Sequence, residues 1–154
     1  MELCYSPVSE AARSRSLDLL NRHLAAAVVL QDRMRQSPRN VRGRDFIMVD
    51  DLCDRVARLM EGCTVVIAAR VAGLGGVPKW PDQPDCYSRT IAAETQLAIA
   101  GPLDAFGQSV LDAATVAEAY GDTTTADLLA GLWHDVDRHL WMTVKTTDTR
   151  VHAP

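Results

Sequence analysis

The sequence predicts an all-α protein of the four-helix-bundle class, and three observations support this prediction. Only 5% of the 154 residues are aromatic, and few segments show the β-branched alternation typical of strands. Ala, Leu, Arg and Asp are abundant, which favours helices. Apolar residues recur at three- and four-residue spacing in four long segments. With 47% hydrophobic content, a chain of this length fits one domain with a substantial core.

The first two segments predict a pair of long amphipathic helices. The first covers residues 9–37 and ends at Pro38, because proline has no N–H and disfavours helical geometry in the residue before it. The second covers residues 45–74, with Asp45 as its N-cap and Gly75-Gly76 as its stop. At about 1.5 Å per residue, this second helix spans on the order of 45 Å.

The other half of the chain predicts a proline-rich loop and two further helical segments. The third segment covers residues 91–120, but Gly101-Pro102 interrupts it, so it is either kinked or split into two helices. The last helix covers residues 124–145, and Asp122 or one of Thr123 to Thr125 caps it. Amphipathic helices cannot hide their apolar faces alone. A four-helix bundle therefore follows, with a shell or dimer interface covering the remaining apolar surface.

Charge and cysteine usage exclude several classes of protein. The formal net charge of -4 disfavours DNA binding over the whole surface, and the basic residues near the ends, Arg13, Arg15, Lys145 and Arg150, read as solvated termini. The four cysteines form no CxxC pair, so neither disulfides nor structural zinc are predicted. No stretch reaches the roughly 18 apolar residues of a membrane span and no leader is recognisable, which favours a cytoplasmic protein.

Several motifs, in order and over most of the chain, resemble the Dps family of mini-ferritins. They are Leu19-Leu20-Asn21-Arg22, Asn40-Val41-Arg42-Gly43 with Phe46-Ile47, Leu74-Gly75-Gly76-Val77, Gly121-Asp122 through Leu129, and Asp135 through Met142. The resemblance implies a ferritin-like subunit that assembles as a hollow dodecamer. It also implies iron binding and storage, protection against oxidative stress, and a ferroxidase centre located between two subunits.

The resemblance assigns ligand positions to this centre, and most of them are substituted here. Pro38 and Asp50 occupy the two histidine positions, and Asp54 retains the carboxylate one turn after Asp50. Further along the second helix, Val65 and Ala69 stand where the family has an Asp and a Glu. Iron(II) favours imidazole together with carboxylate ligands. The remaining pair, Asp50 and Asp54, would therefore bind iron only weakly.

Each acidic residue in these positions also has a structural interpretation. Asp54 can pair with Arg35 in a salt bridge, and Asp50 can complement the dipole of its helix. Asp122 and Asp127 match the region that lines a three-fold pore in similar shells, where negative potential attracts cations. Alternatively, Asp122 caps the last helix and Asp127 lies in its first turn, and both interpretations can hold together.

The histidines suggest no other catalytic centre. His134 and Asp137 have the i, i+3 spacing of a chelating pair, but a structural role is the favoured interpretation. His23 and His152 read as exposed or hydrogen-bonded residues. The sequence contains no Glu-x-x-His pair for a di-iron site within the bundle, and no glycine-rich phosphate loop.

Two functions follow from these observations. The first is a Dps-like shell that handles iron, with the ferroxidase centre largely lost, so that enzymatic activity is implied by resemblance alone. The second is a catalytically silent or partner-binding shell. Either one forms a homo-oligomer or a mixed oligomer with a related subunit.

Overall fold

Four α-helices make up the described part of the chain, which comprises residues 8–36, 46–82 and 97–151 of a computed structural model. The helices are α1 (Glu10–Gln36), α2 (Phe46–Gly73), α3 (Leu97–Ala119) and α4 (Thr123–Val151). These three ranges contain no β-strand. The prediction of an all-α, four-helix fold is confirmed.

The helices pack as two pairs, α1 with α2 and α3 with α4, and the pairs face each other through α1 with α3 and α2 with α4. Arg13 near the start of α1 donates a hydrogen bond of 2.9 Å to the carbonyl of Leu74 at the end of α2, so these two helices run antiparallel. Arg70 at the end of α2 reaches Asp122 at the start of α4. Helices α2 and α4 are therefore also antiparallel.

The hydrophobic core lies between the four helices and draws on the periodic residues of each. Its largest fully buried apolar side chains are Leu20, Leu24, Met34, Met60, Ile67, Leu103, Leu129, Val56, Val71, Val110 and Val136. Cys53 and Cys63 are also buried in this core. No helix in the described ranges offers an apolar stretch that could span a lipid bilayer.

Two glycines with positive φ end α2 and α3. Gly75 has φ of 76°, and the next amide, that of Gly76, donates to the carbonyl of Val71. Gly121 has φ of 80°, and the amide of Asp122 donates to the carbonyl of Ala117 in the same way. Both helices thus end in the Schellman motif, in which glycine adopts the left-handed conformation without a Cβ clash.

Helix α3 continues through Gly101-Pro102 as one helix, so the alternative of two shorter helices is wrong. Pro102 lies near the start of the helix, and the buried side chains of Leu103 and Phe106 hold this turn against the core. The missing proline N–H removes only one helical hydrogen bond there. The predicted helical residues 91–96 lie outside the described residues.

The last helix differs most from the prediction, because α4 extends to Val151 rather than ending near residue 145. The prediction followed the apolar stripe, and the sequence after Val144 is polar. Val144 itself, assigned to that stripe, is exposed.

Candidate metal centre

The residues assigned to the metal site lie on the outward face of α2. Asp50, Asp54, Val65 and Ala69 are separated by four, eleven and four positions, which places them along one side of a helix. All four are exposed in the subunit, and the side chain of Val65 is 63% exposed. The fifth position, Pro38, lies outside the described residues. A centre on this face would be open to solvent or to a neighbouring molecule, not enclosed in the bundle.

The carboxylate of Asp54 already has a partner on its own helix. Its Oδ2 forms an ion pair with the Nη2 of Arg58 at 2.8 Å. The expected pair with Arg35 is wrong, because Arg35 reaches Glu61 instead, at 3.4 Å. Asp50 makes no ion pair with any described residue.

The oxygen ligands on this face are therefore few. Val65 and Ala69 contribute no lone pairs, so Asp50 and Asp54 are the only oxygen donors among the four assigned positions of α2. Across residues 8–36, 46–82 and 97–151, no three His, Cys, Asp or Glu side chains are grouped so that they could hold one ion. Within one subunit, the chemistry available here is weak, monodentate contact with a hard cation.

Of the two acidic residues assigned to a pore, Asp122 lies in the core and Asp127 lies on the surface. Asp122 caps α4, because its Oδ1 accepts from the amide of Thr125 at 3.1 Å and its Oδ2 from the Thr125 hydroxyl at 2.6 Å. Arg70 Nη2 donates to the same carboxylate at 2.9 Å. Asp122 is fully buried, whereas Asp127 is exposed one turn after the start of α4, so its predicted place in the first turn is wrong. The pore hypothesis therefore rests on Asp127 alone.

The pKa of Asp122 is lowered despite its burial. Desolvation raises the pKa, but the hydroxyl of Ser16, the hydrogen bonds from Thr125 and the positive charge of Arg70 together outweigh it. The Ser16 hydroxyl is itself buried and lies beside the carboxylate without meeting full hydrogen-bond geometry. Asp122 is thus a buried anion that joins α1, α2 and α4.

The histidines have structural roles wherever they are described. His23 is buried and bridges α1 to α3, with Nδ1 2.8 Å from the carbonyl of Leu19 and Nε2 2.9 Å from the Ser109 hydroxyl. His134 is exposed, its ring lies 4.7 Å from that of Trp133 at a tilt of 55°, and it belongs to no group of three ligand side chains among the described residues. His152 lies outside the described residues.

Two arginines near these sites were missed by the sequence analysis. The pair of Asp54 with Arg58 has a local signal, namely acid and base at i, i+4 on a helix. The pair of Arg70 with Asp122 spans 52 positions along the chain and has no such signal. Only the packing of α2 against α4 brings it together.

The fold and this outward-facing α2 surface define the class of protein, a ferritin-like four-helix subunit. Solved structures with this fold include Dps from Vibrio cholerae, with a TM-score of 0.79 at 15% identity over 96% of this chain and 98% of that one. DpsC from Streptomyces coelicolor has a TM-score of 0.76 at 22% identity, over 96% and 91%. The tetragonal form of Mycobacterium smegmatis Dps gives 0.76 at 23%, over 93% and 92%.

Sequence comparison adds a curated relative to these solved structures. The DNA protection during starvation protein of Agrobacterium fabrum is 29% identical over 139 residues, which cover 84% of this chain and 86% of that protein. No protein-family profile matches the chain. The chain is therefore similar to Dps proteins in sequence and in fold.

Proposed function

We propose that this chain forms a hollow Dps-type shell that binds and sequesters iron and protects the cell under oxidative stress, with the ferroxidase centre between subunits largely lost. The observation that supports this proposal is the outward face of α2, where Val65 and Ala69 stand at ligand positions and remain exposed in the subunit. The Agrobacterium relative is named for DNA protection during starvation. For this chain, the net charge of -4 favours protection through iron removal over direct DNA binding.

The same face supports assembly with further copies of the chain. Ile47 and Val65 are 79% and 63% exposed, and Val66 is also exposed. A Cβ built on Gly62 would meet nothing within 4 Å, so a neighbouring backbone could approach closely there. Burying such side chains contributes roughly 1–2 kcal/mol each. We expect a homo-dodecamer in which this face is covered by a second copy.

The chemistry expected of such a shell is iron uptake with slow oxidation. Asp50 and Asp54 offer carboxylate oxygens without the nitrogen ligands that hold iron(II) firmly, so iron would bind weakly there. Asp127 at the start of α4 provides an exposed negative charge that could line a pore and draw cations inward. Sequestration would then rely on the interior of the shell more than on a dinuclear centre.

The same substitutions favour a second candidate, a catalytically silent or partner-binding shell. Replacing charged ligands at a buried contact with apolar side chains is stabilising when no metal neutralises the charges. A mixed oligomer with a related subunit that retains its ligands would combine both roles. This alternative differs from the first in predicting no iron retention by the purified chain alone.

Iron loading separates the two candidates. Purified protein is incubated with iron(II) under oxygen, and separately with hydrogen peroxide, beside a protein-free autoxidation control, and then passed over a sizing column. We expect iron to co-elute with the shell and oxidation to stay within a few-fold of the control. Absence of co-eluting iron would favour the silent shell, and rapid saturable oxidation that Asp50→Asn abolishes would show that a ferroxidase centre persists.

Assembly is tested separately by light scattering. Val65→Asp places an uncompensated charge on the proposed contact and is expected to release smaller species. Val116→Asp, at an exposed valine of α3, is the matched control and should assemble normally. A wild-type monomer would contradict the shell, and equal behaviour of the two variants would contradict the assignment of the α2 face.

A further inference from the structure

Two arginines follow the acidic residues at the start of α2 with the spacing of one helical turn. Arg55 Nη2 lies 2.8 Å from Asp51 Oδ2, and Arg58 Nη2 lies 2.8 Å from Asp54 Oδ2. All four side chains are more than half exposed. The start of α2 thus has three acidic residues, Asp50, Asp51 and Asp54. Two of them are paired with arginines of the same helix.

These pairs have the favourable orientation for a helix, because the acid precedes the base by four residues. The guanidinium is carried by the same helix one turn after the carboxylate, so its positive charge lies close to the acid. A metal ion that bound both oxygens of Asp54 would have to displace Arg58 from Oδ2. It would also experience the positive charge of Arg58 at close range.

We propose that Arg58 lowers the affinity of this face for divalent cations: it is the counter-ion of Asp54 and repels cations from the Asp50–Asp54 pair. The inference rests on the proposed iron-handling function for its biological meaning, whereas its physical basis lies within α2 alone. According to this proposal, Arg58 contributes to weak metal binding at Asp50 and Asp54, although it is not one of the five positions that the resemblance assigns to ligands. Two effects would then weaken the site, because Val65 and Ala69 offer no ligand atoms and Arg58 is paired with one oxygen of Asp54.

The expected size of the effect follows from Coulomb's law. A divalent ion bound at Asp54 would lie about 4 Å from the guanidinium, and the repulsion in a water-like dielectric corresponds to about a thirtyfold loss of affinity. Salt reduces this factor, since both groups are exposed and the Debye length is about 10 Å at 0.1 M ionic strength. The measurement therefore belongs at low ionic strength.

Manganese(II) is a suitable probe because it prefers oxygen ligands and is not oxidised under mild conditions. Free Mn²⁺ is followed by electron paramagnetic resonance during titration of the full chain. Arg58→Gln removes the positive charge that is paired with Asp54. Arg138→Gln is the matched control, since it removes the same charge from an exposed ion pair with Asp135 on α4. The double variant Arg58→Gln with Asp54→Asn removes the proposed ligand again.

We expect Arg58→Gln to bind Mn²⁺ about thirtyfold more tightly than the wild type at low salt, and both Arg138→Gln and the double variant to match the wild type. Equal tightening in Arg58→Gln and Arg138→Gln would overturn the proposal, because net charge alone would then explain the gain. Wild-type binding as tight as that of Arg58→Gln would also overturn it. Light scattering on the same samples reports assembly, so a failure of the shell is seen separately from a failure of this inference.

Discussion

Replacing Asp122 with alanine is expected to destabilise the bundle more than any exposed ion pair could. The change removes the N-cap of α4 and the counter-ion of Arg70, whose side chain is only 13% exposed. Loss of a cap costs about 1 kcal/mol, and breaking a buried pair on one side costs about 3–5 kcal/mol. Water still reaches part of Arg70. We therefore expect Asp122→Ala to lower the free energy of unfolding by about 3 kcal/mol, toward the lower end of that range.

The assay is urea denaturation followed by far-ultraviolet circular dichroism, at a fixed protomer concentration because assembly adds to apparent stability. With a slope of about 2 kcal/mol per molar urea, the midpoint should fall by about 1.5 M. Asp135→Ala breaks the exposed pair with Arg138 and should cost no more than about 1 kcal/mol. Equal shifts for Asp122→Ala and Asp135→Ala would refute the reasoning.

Two further variants separate the cap from the charge. Asp122→Asn keeps an oxygen acceptor for the Thr125 amide but removes the charge that balances Arg70, so it should remain strongly destabilising. Combining it with Arg70→Met removes the orphaned guanidinium and should restore part of the loss, since an apolar replacement of both partners is often tolerated. A double variant less stable than Asp122→Asn would show that Arg70 stabilises the fold through packing.

The same carboxylate gives a pH dependence with a defined sign. The folded pKa of Asp122 is lowered, so its contribution is fully present above the unfolded value of about 3.9 and is lost as the pH falls toward the folded value. The difference in urea midpoint between wild type and Asp122→Asn should therefore be constant from pH 5 to 7 and shrink below about pH 4. A difference that grew on acidification would contradict the lowered pKa.

Three other predictions follow from single contacts. Gly107→Val should destabilise by about 1–3 kcal/mol, because even a Cβ would lie 2.9 Å from the Cγ1 of Val136; an unchanged urea midpoint would contradict this close approach of α3 and α4. Burial raises the pKa of Cys63 to about 12, so Ellman's reagent at pH 8 should leave this thiol unmodified until urea unfolds the chain, and fast native reaction would show that it is accessible. His23→Ala should cost about 2 kcal/mol through the lost bonds to α3, and Ser109→Ala, which removes one of them, should cost less by the same titration.

Sequence patterning predicted the helical class because each helix carries its own evidence. In α2 the apolar positions repeat so regularly that the residues from Val56 to Val71 assigned to its stripe are buried or partly buried. Where a segment lost its pattern, the prediction failed. The polar sequence after Val144 gave no reason for α4 to continue, and Pro102 suggested a break that the flanking core contacts of α3 prevent.

For the candidate site, the sequence predicted the common helical face correctly but not the ion-pair partner of Asp54. The spacing of Asp50, Asp54, Val65 and Ala69 is local, so their common face on α2 follows from helical geometry alone. The partner of Asp54 was chosen wrongly, because Arg35 and Arg58 both lie within reach in principle and only side-chain placement decides between them. Whether the assigned residues hold iron, line a pore or seal a contact stays a prediction.

By itself, the sequence determined the four-helix class and the apolar character of Val65 and Ala69, since both depend on residue type and short-range spacing. The tertiary structure decided which charges are buried and which are exposed. It encloses Asp122 beside Arg70 from another helix, leaves Asp127 in solvent and turns Val65 outward. Such outcomes depend on contacts between residues distant in the chain, and a helical period carries no information about them.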